Sequence, residues 1–233
     1  MTLMHKFLGA SAALALTAGT AAADPAILFD LGGKFDKSFN ESAYNGAERW
    51  ATETGGSYAE VEIQSDAQRE QAIRRFAESG ANPIVMAGFS WATPLAEVAA
   101  DYPETKFTII DMVVDAPNVR SVVFSEEQGS YLVGMAAALS SKTGTVGFIG
   151  GMDIPLIRNF ACGYAQGAKA ANADVTVISN MTGTTPAAWN DPVKGSELTL
   201  AQKSQGADVV YAAAGGTGVG VLQTAADNEM LSI

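Results

Sequence analysis

Short runs of β-branched and aromatic residues alternate with helical patterns along almost the whole chain, and this alternation leaves few folds open. Strands are predicted over residues 26–31, 58–63, 83–89, 106–112, 119–124, 145–149, 175–179 and 209–213. Helices are predicted between them over residues 38–54, 67–79, 93–101, 129–140, 156–171, 191–205 and 218–228. A strand that returns through a helix to the same sheet runs parallel to its predecessor, and parallel sheets bury both faces under helices. The class is therefore α/β, with parallel sheets flanked by helices.

Local chemistry supports the helix ends. Ser38-Phe39-Asn40-Glu41 and Ser65-Asp66-Ala67-Gln68 read as capping boxes, and Thr93-Pro94 puts proline at the first helical position. Asp191-Pro192 starts another helix, while Gly80 and Gly206 stand where helices stop. The best boundary lies within residues 118–128, where a strand leads into Glu126-Glu127 and a fresh helix-strand series begins. This predicts an N-lobe over residues 24–124 and a C-lobe over 125–233. The last five residues, 229–233, read as the opening of a further strand, so the C-lobe is expected to be incomplete and the chain a fragment.

Residues 1–23 read as a signal peptide: Lys6 supplies a positive start, residues 7–20 are nearly all small or apolar, and Ala21-Ala22-Ala23 offers a cleavage site. No cysteine follows that site to carry a lipid, and no later stretch reaches the ~18 apolar residues of a membrane span. The expectation is a free periplasmic protein. Lys6 is the only charged residue of the leader, so its removal takes the net charge one below −11. Nucleic acid is thereby excluded as a partner, because phosphate backbones need a basic face.

Beyond the leader the chain keeps one cysteine, Cys162, and no histidine. Disulfides within the chain, Cys/His metal clusters and histidine-based nucleophilic devices are all excluded. Cys162 lies in a helical pattern beside Phe160 and Tyr164 and is expected to be a small buried thiol. No cofactor is implied.

Three stretches sit at the carboxyl ends of predicted strands, where open α/β sheets bind ligands. In residues 30–40, Gly32-Gly33 allow tight backbone, while Asp30, Phe39 and Asn40 offer a charge, an aromatic face and an amide; Phe39 reads equally well as core. In residues 212–220, Gly215 and Gly218 belong to a glycine-rich strand-to-helix turn. Its spacing departs from the dinucleotide fingerprint, which favours glycines lining a cleft against a flat ligand. Trp189, one turn before Asp191-Pro192, suits stacking on a ligand or packing on the surface. Asp111 ends its strand as a carboxylate able to accept ligand hydroxyls.

The run DLGGKFDKSFNESAYNG from Asp30, with FSEEQGSYLVG from Phe124, GFIGGM from Gly147 and GGTG from Gly215, resembles the basic membrane protein family. These are substrate-binding proteins of ABC transporters, related to the purine nucleoside receptor and the Med lipoprotein. The resemblance runs from about Ala26 to the end with the motifs in order. It implies a two-lobed type I periplasmic-binding-protein fold and a purine nucleoside clamped between the lobes for delivery to an inner-membrane permease. It further implies base stacking by Phe39 and Trp189, polar contacts from Asp30 and Asn40, and ribose hydroxyls on Asp111. Two departures stand out: the family's later aspartate and lysine have no counterpart before Ile233, and its lipid-bearing cysteine is absent.

Other classes fit less well. A nucleoside hydrolase would want an acidic metal cluster near the first strand, and a dehydrogenase the dinucleotide fingerprint; neither is present. A repressor's sensor domain shares the fold, but no helix-turn-helix is visible. A sugar or autoinducer-type receptor of the same fold stays open.

Overall fold

The computed structural model describes residues 23–233. The predicted leader therefore lies, except for Ala23, outside the described residues. Five parallel strands form the first sheet: β1 (Ala26–Phe29), β2 (Ala59–Glu62), β3 (Ile84–Ala87), β4 (Phe107–Ile110) and β5 (Val119–Val122), in the order β2-β1-β3-β4-β5. The second sheet holds β6 (Thr145–Met152), β7 (Thr176–Gly183), β8 (Val209–Ala213) and β9 (Leu231–Ser232), in the order β7-β6-β8-β9 and again parallel. Among the described residues the α-helices are α1 (Phe39–Thr54), α2 (Arg69–Glu78), α3 (Ala92–Val98), α4 (Glu126–Ser140), α5 (Pro155–Ala171), α6 (Pro192–Ser204) and α7 (Gly216–Asp227).

The strand order decides where a site can form. In the first sheet the chain steps from β1 to β2 on one side, then returns to β3 on the other. The second sheet repeats the pattern around β6, with β7 on one side and β8 on the other. A crevice opens outside the carboxyl ends of the strands at each such reversal.

The core of the first lobe lies between the sheet and helices α2 and α3. Leu28, Ile84, Met86 and Ile109 meet Ile73, Phe76, Trp91 and Leu95 there. The opposite face buries Phe29, whose ring meets Tyr44 of α1 edge-on. In the second lobe Phe148, Tyr164 and Val209 centre one cluster, and Ile149, Val210 and Val221 another. Helices α4 and α5 press backbone to backbone: a Cβ on Gly134 would lie 2.0 Å from the Tyr164 carbonyl oxygen, and one on Gly167 1.8 Å from that of Tyr131.

Several sequence expectations need correction. Ser38 makes no capping bond; Asp36 receives the N–H groups of Ser38, Asn40 and Glu41 instead, and Glu41 reaches back to the Lys37 N–H at 2.9 Å. The second expected box, by contrast, forms with both arms, Gln68 Oε1 accepting from Ser65 N at 3.2 Å. Pro94 falls within the first turn of α3 but not at its first position, because a 3-10 turn at Phe89–Trp91 runs straight into the helix. Cys162 is exposed, since Gly163, Tyr164, Gly167 and Ala168 form the inward face of α5 and the cysteine projects off it. Strands β6 and β7 run past their predicted ends, because Gly150-Gly151 and the polar Asn180 and Thr182 hid the strand pattern. Residues 229–233 do contain a strand, β9, paired with β8.

Candidate functional site

A cavity of about 600 Å³ opens between the carboxyl ends of the two sheets. It is walled by the segments that follow β1, β3 and β4 on one side, and β6, β7 and β8 on the other. Asp30, Phe39, Asn40, Asp111, Trp189 and Gly215 all line it, which brings six of the seven predicted residues together. Gly218 does not: it lies buried in the first turn of α7, where its N–H bonds the Gly215 carbonyl at 2.8 Å.

Asp30 leaves the end of β1 with its carboxylate already engaged. Oδ1 accepts from Arg69 Nη2 at 2.6 Å and from Leu31 N at 2.7 Å. Oδ2 lies over Gly88, where any Cβ would come within 2.3 Å. Arg69 is buried, binds Asp66 as well at 2.8 Å, and sits 4.9 Å above the Trp91 ring. Asp30 thus keeps one oxygen for the cavity side, held in place by a charge-assisted bond.

Asn40 differs from its expected role. Its Oδ1 accepts from Asp30 N at 3.1 Å, and Nδ2 donates to the carbonyls of Asp30 and Gly33, each at 3.2 Å. Its amide is thus committed to clamping the β1 loop onto α1, with little hydrogen-bonding capacity left for a ligand. Phe39, one residue earlier, is half-buried at the cavity wall and stands outside the core clusters.

Asp36 is buried beneath the start of α1. Its Oδ1 accepts from Ser38 N at 2.9 Å and Glu41 N at 3.1 Å, and Oδ2 from Asn40 N at 3.1 Å. Burial still outweighs these donors and holds its carboxyl above the usual range. Asp111 is different again. It follows β4 with φ 69°, and its carboxylate accepts no hydrogen bond among the described residues. Burial, with a smaller contribution from Glu126, pushes it up to about 6.

Trp189 closes a 3-10 turn, Pro186–Trp189, after β7. Its ring backs onto Gly151, where a Cβ would come within 2.2 Å, and meets Phe89 of the other lobe edge-on at 6.1 Å. Its Nε1 is buried without a partner among the described residues. The lobes also touch where Gly32 faces Gly216: a Cβ on Gly216 would lie 3.2 Å from the Gly32 carbonyl oxygen. Among the described residues no hydrogen bond or ion pair joins the two lobes.

Sequence reasoning missed Asp36, Arg69, Phe89, Phe160 and Tyr211. Phe89 carried a usable signal, since Gly88-Phe89 repeats the glycine-then-aromatic grammar of the first loop at the next strand end. Arg69 carried none, because its pairing with Asp30 spans 39 residues of sequence. Among the described residues no cluster of His, Cys, Asp and Glu is arranged to hold a metal, and no helix is long and apolar enough to cross a membrane.

Comparison with known proteins bears on this geometry. The pattern of the family described as ABC transporter substrate-binding protein PnrA-like matches residues 24–233. The ABC transporter nucleoside-binding protein BmpA of Lactococcus lactis is 35% identical over 205 residues, covering 86% of this chain and 57% of that protein. An uncharacterized lipoprotein of Pyrococcus furiosus is 36% identical over 215 residues, covering 87% of this chain and 52% of that protein. A solved solute-binding protein of an ABC transporter system from Aeropyrum pernix superposes with a TM-score of 0.81 at 35% identity, over 88% of this chain and 59% of that one. The chain thus spans little more than half the length of these relatives.

Proposed function

Since the chain belongs to the PnrA-like family of ABC transporter substrate-binding proteins, we propose that it captures a purine nucleoside between its lobes and delivers it to an ABC permease for import. Residues 24–124 and 125–233 act as the two closing units in this reading, and residues 1–23 export the chain to the periplasm. The family is one of solute-binding proteins; in the proposed role the ligand leaves unchanged.

One observation carries the reading: a cavity of about 600 Å³ flanked by aromatics from both lobes and holding an acid, Asp111, that has no hydrogen-bond partner among the described residues. Phe39 and Phe89 stand on one side, Trp189 and Phe160 on the other. A flat base between such rings gains about 1 to 3 kcal/mol per stacking contact. Asp111, desolvated and without a donor, is suited to accept ribose hydroxyls, and Asp30 Oδ2 offers a second acceptor.

Calorimetry with inosine, hypoxanthine and ribose tests this. A charge-assisted hydrogen bond in a dry cleft is worth about 1.5 to 3 kcal/mol, so inosine is expected to bind at least about tenfold more tightly than hypoxanthine. Equal affinity for the two would mean that the acids do not read ribose. Tight binding of ribose alone would replace the nucleoside with a sugar.

A further inference from the structure

The start of α1 faces the cavity, and in most proteins such an end is a ready seat for a ligand phosphate: free N–H groups and the positive end of a helix dipole. Here the seat is filled. The Asp36 carboxylate takes the N–H groups of Ser38, Asn40 and Glu41, and it is buried while doing so. Its Oδ2 also lies 3.8 Å from the Cβ position of Gly215, the residue that precedes α7 on the opposite lobe. One carboxylate therefore stands between the N-termini of two helices, where an incoming anion would otherwise be drawn.

The rest of the wall adds to this. Among the described residues, Asp30, Asp36, Glu41 and Asp111 line the cavity, against Lys37 as the only basic lining residue. The guanidinium of Arg69 spends its charge on Asp30 and Asp66. Resting on the nucleoside reading above, we infer that Asp36 is a specificity determinant that makes the cavity accept a nucleoside and reject its 5′-phosphate. The protein's own anion fills the seat that the phosphate would need, and three further carboxylates repel a second one. Like charges set against each other in a closed interface cost enough to weaken binding at least about a hundredfold.

The test is calorimetry at pH 8, where a nucleotide phosphate carries its second negative charge, with inosine, 5′-O-methylinosine and inosine 5′-monophosphate. The monophosphate is expected to bind at least about a hundredfold more weakly than inosine, and the neutral methyl ether within about tenfold of it. Asp36→Asn and Asp36→Ser both remove the charge and keep an oxygen able to cap α1. Either should narrow the ratio of monophosphate to inosine affinity at least about tenfold, whatever happens to the affinities themselves. A monophosphate that binds within tenfold of inosine overturns the inference. So does rejection of the methyl ether as strong as that of the monophosphate, which would make size the cause, and so does an unchanged ratio in a folded Asp36 variant. Even where neither variant folds, the three wild-type titrations can overturn the inference. Absence of inosine binding would instead overturn the nucleoside reading, and this inference with it.

Discussion

At the scale of single residues, three aspartates line one cavity and their surroundings separate their tasks. Asp30 is held by Arg69, Asp36 by backbone N–H groups, and Asp111 by nothing among the described residues. A carboxyl raised in the folded state stabilises the protein below its unfolded value near 3.8, and that contribution is lost as pH rises through about 6. The full shift would correspond to about 3 kcal/mol, but Asp111 is only half-buried, and solvent screening leaves about 1 kcal/mol. Asp111→Asn should therefore raise the melting temperature by about 2 to 4 °C at pH 8 and leave it unchanged near pH 4. Thermal melts at both values check this; an equal gain at both would assign the effect to packing. Trp189 gives a second residue-level expectation. Of the three tryptophans, Trp91 is fully buried in the core and Trp50 lies exposed on α1, so ligand-dependent emission should come from Trp189. Trp189→Ala is expected to remove that signal and weaken nucleoside binding about ten- to hundredfold. A variant with wild-type affinity would place the base elsewhere.

At the scale of elements, glycines divide by what a methyl group would meet. Gly163 and Gly167 let α5 lie against α4, and a Cβ at either would enter the backbone of Glu127 or Tyr131, at 2.2 and 1.8 Å. Gly167→Ala must push the helices apart and should destabilise by about 3 kcal/mol or more, read from urea midpoints. Gly129 on α4 and Gly46 on α1 face open space with ordinary helical backbone. Alanine there should stabilise by about 0.5 to 1 kcal/mol, because it removes only the flexibility of the unfolded chain. Opposite signs within α4 and α5 would be the signature of packing over propensity; a loss at all positions would contradict the assigned helix faces. The elements themselves were legible in the sequence. Eight predicted strands and seven predicted helices all form, because period, caps and glycine stops are local. What was not legible was the direction Cys162 takes, since a helix with glycines on its inward face reads as apolar all round.

At the scale of the whole molecule, the two lobes meet through Gly32 and Gly216, the edge of Phe89 on Trp189, and the cavity walls. Without hydrogen bonds or ion pairs across them among the described residues, the closed arrangement gains little from protein contacts alone. A ligand that touches both walls then supplies the missing interactions and binds the closed, folded chain only. At a hundred times its dissociation constant such a ligand adds about 2.7 kcal/mol. The melting temperature should rise by about 5 to 10 °C for a chain of this size. Differential scanning calorimetry with inosine measures it, and a rise seen equally with ribose would separate lobe bridging from base recognition.

The sequence by itself determined the order and kind of the elements, the acidic balance of the chain, and the strand-end loops from which a cleft would be built. These follow from neighbours a few positions apart and from composition. Only the tertiary structure decided what the polar residues of those loops do. Asp30 and Asn40 stand in the same motif, yet one is tied to an arginine 39 residues away and the other bonds back into its own loop. Asp36 and Asp111 are both aspartates beside a strand end, and only their partners separate a helix cap from an unpaired acceptor. Partner choice depends on which segments the sheet order brings together, and pairwise distances across two lobes are not written in any local pattern.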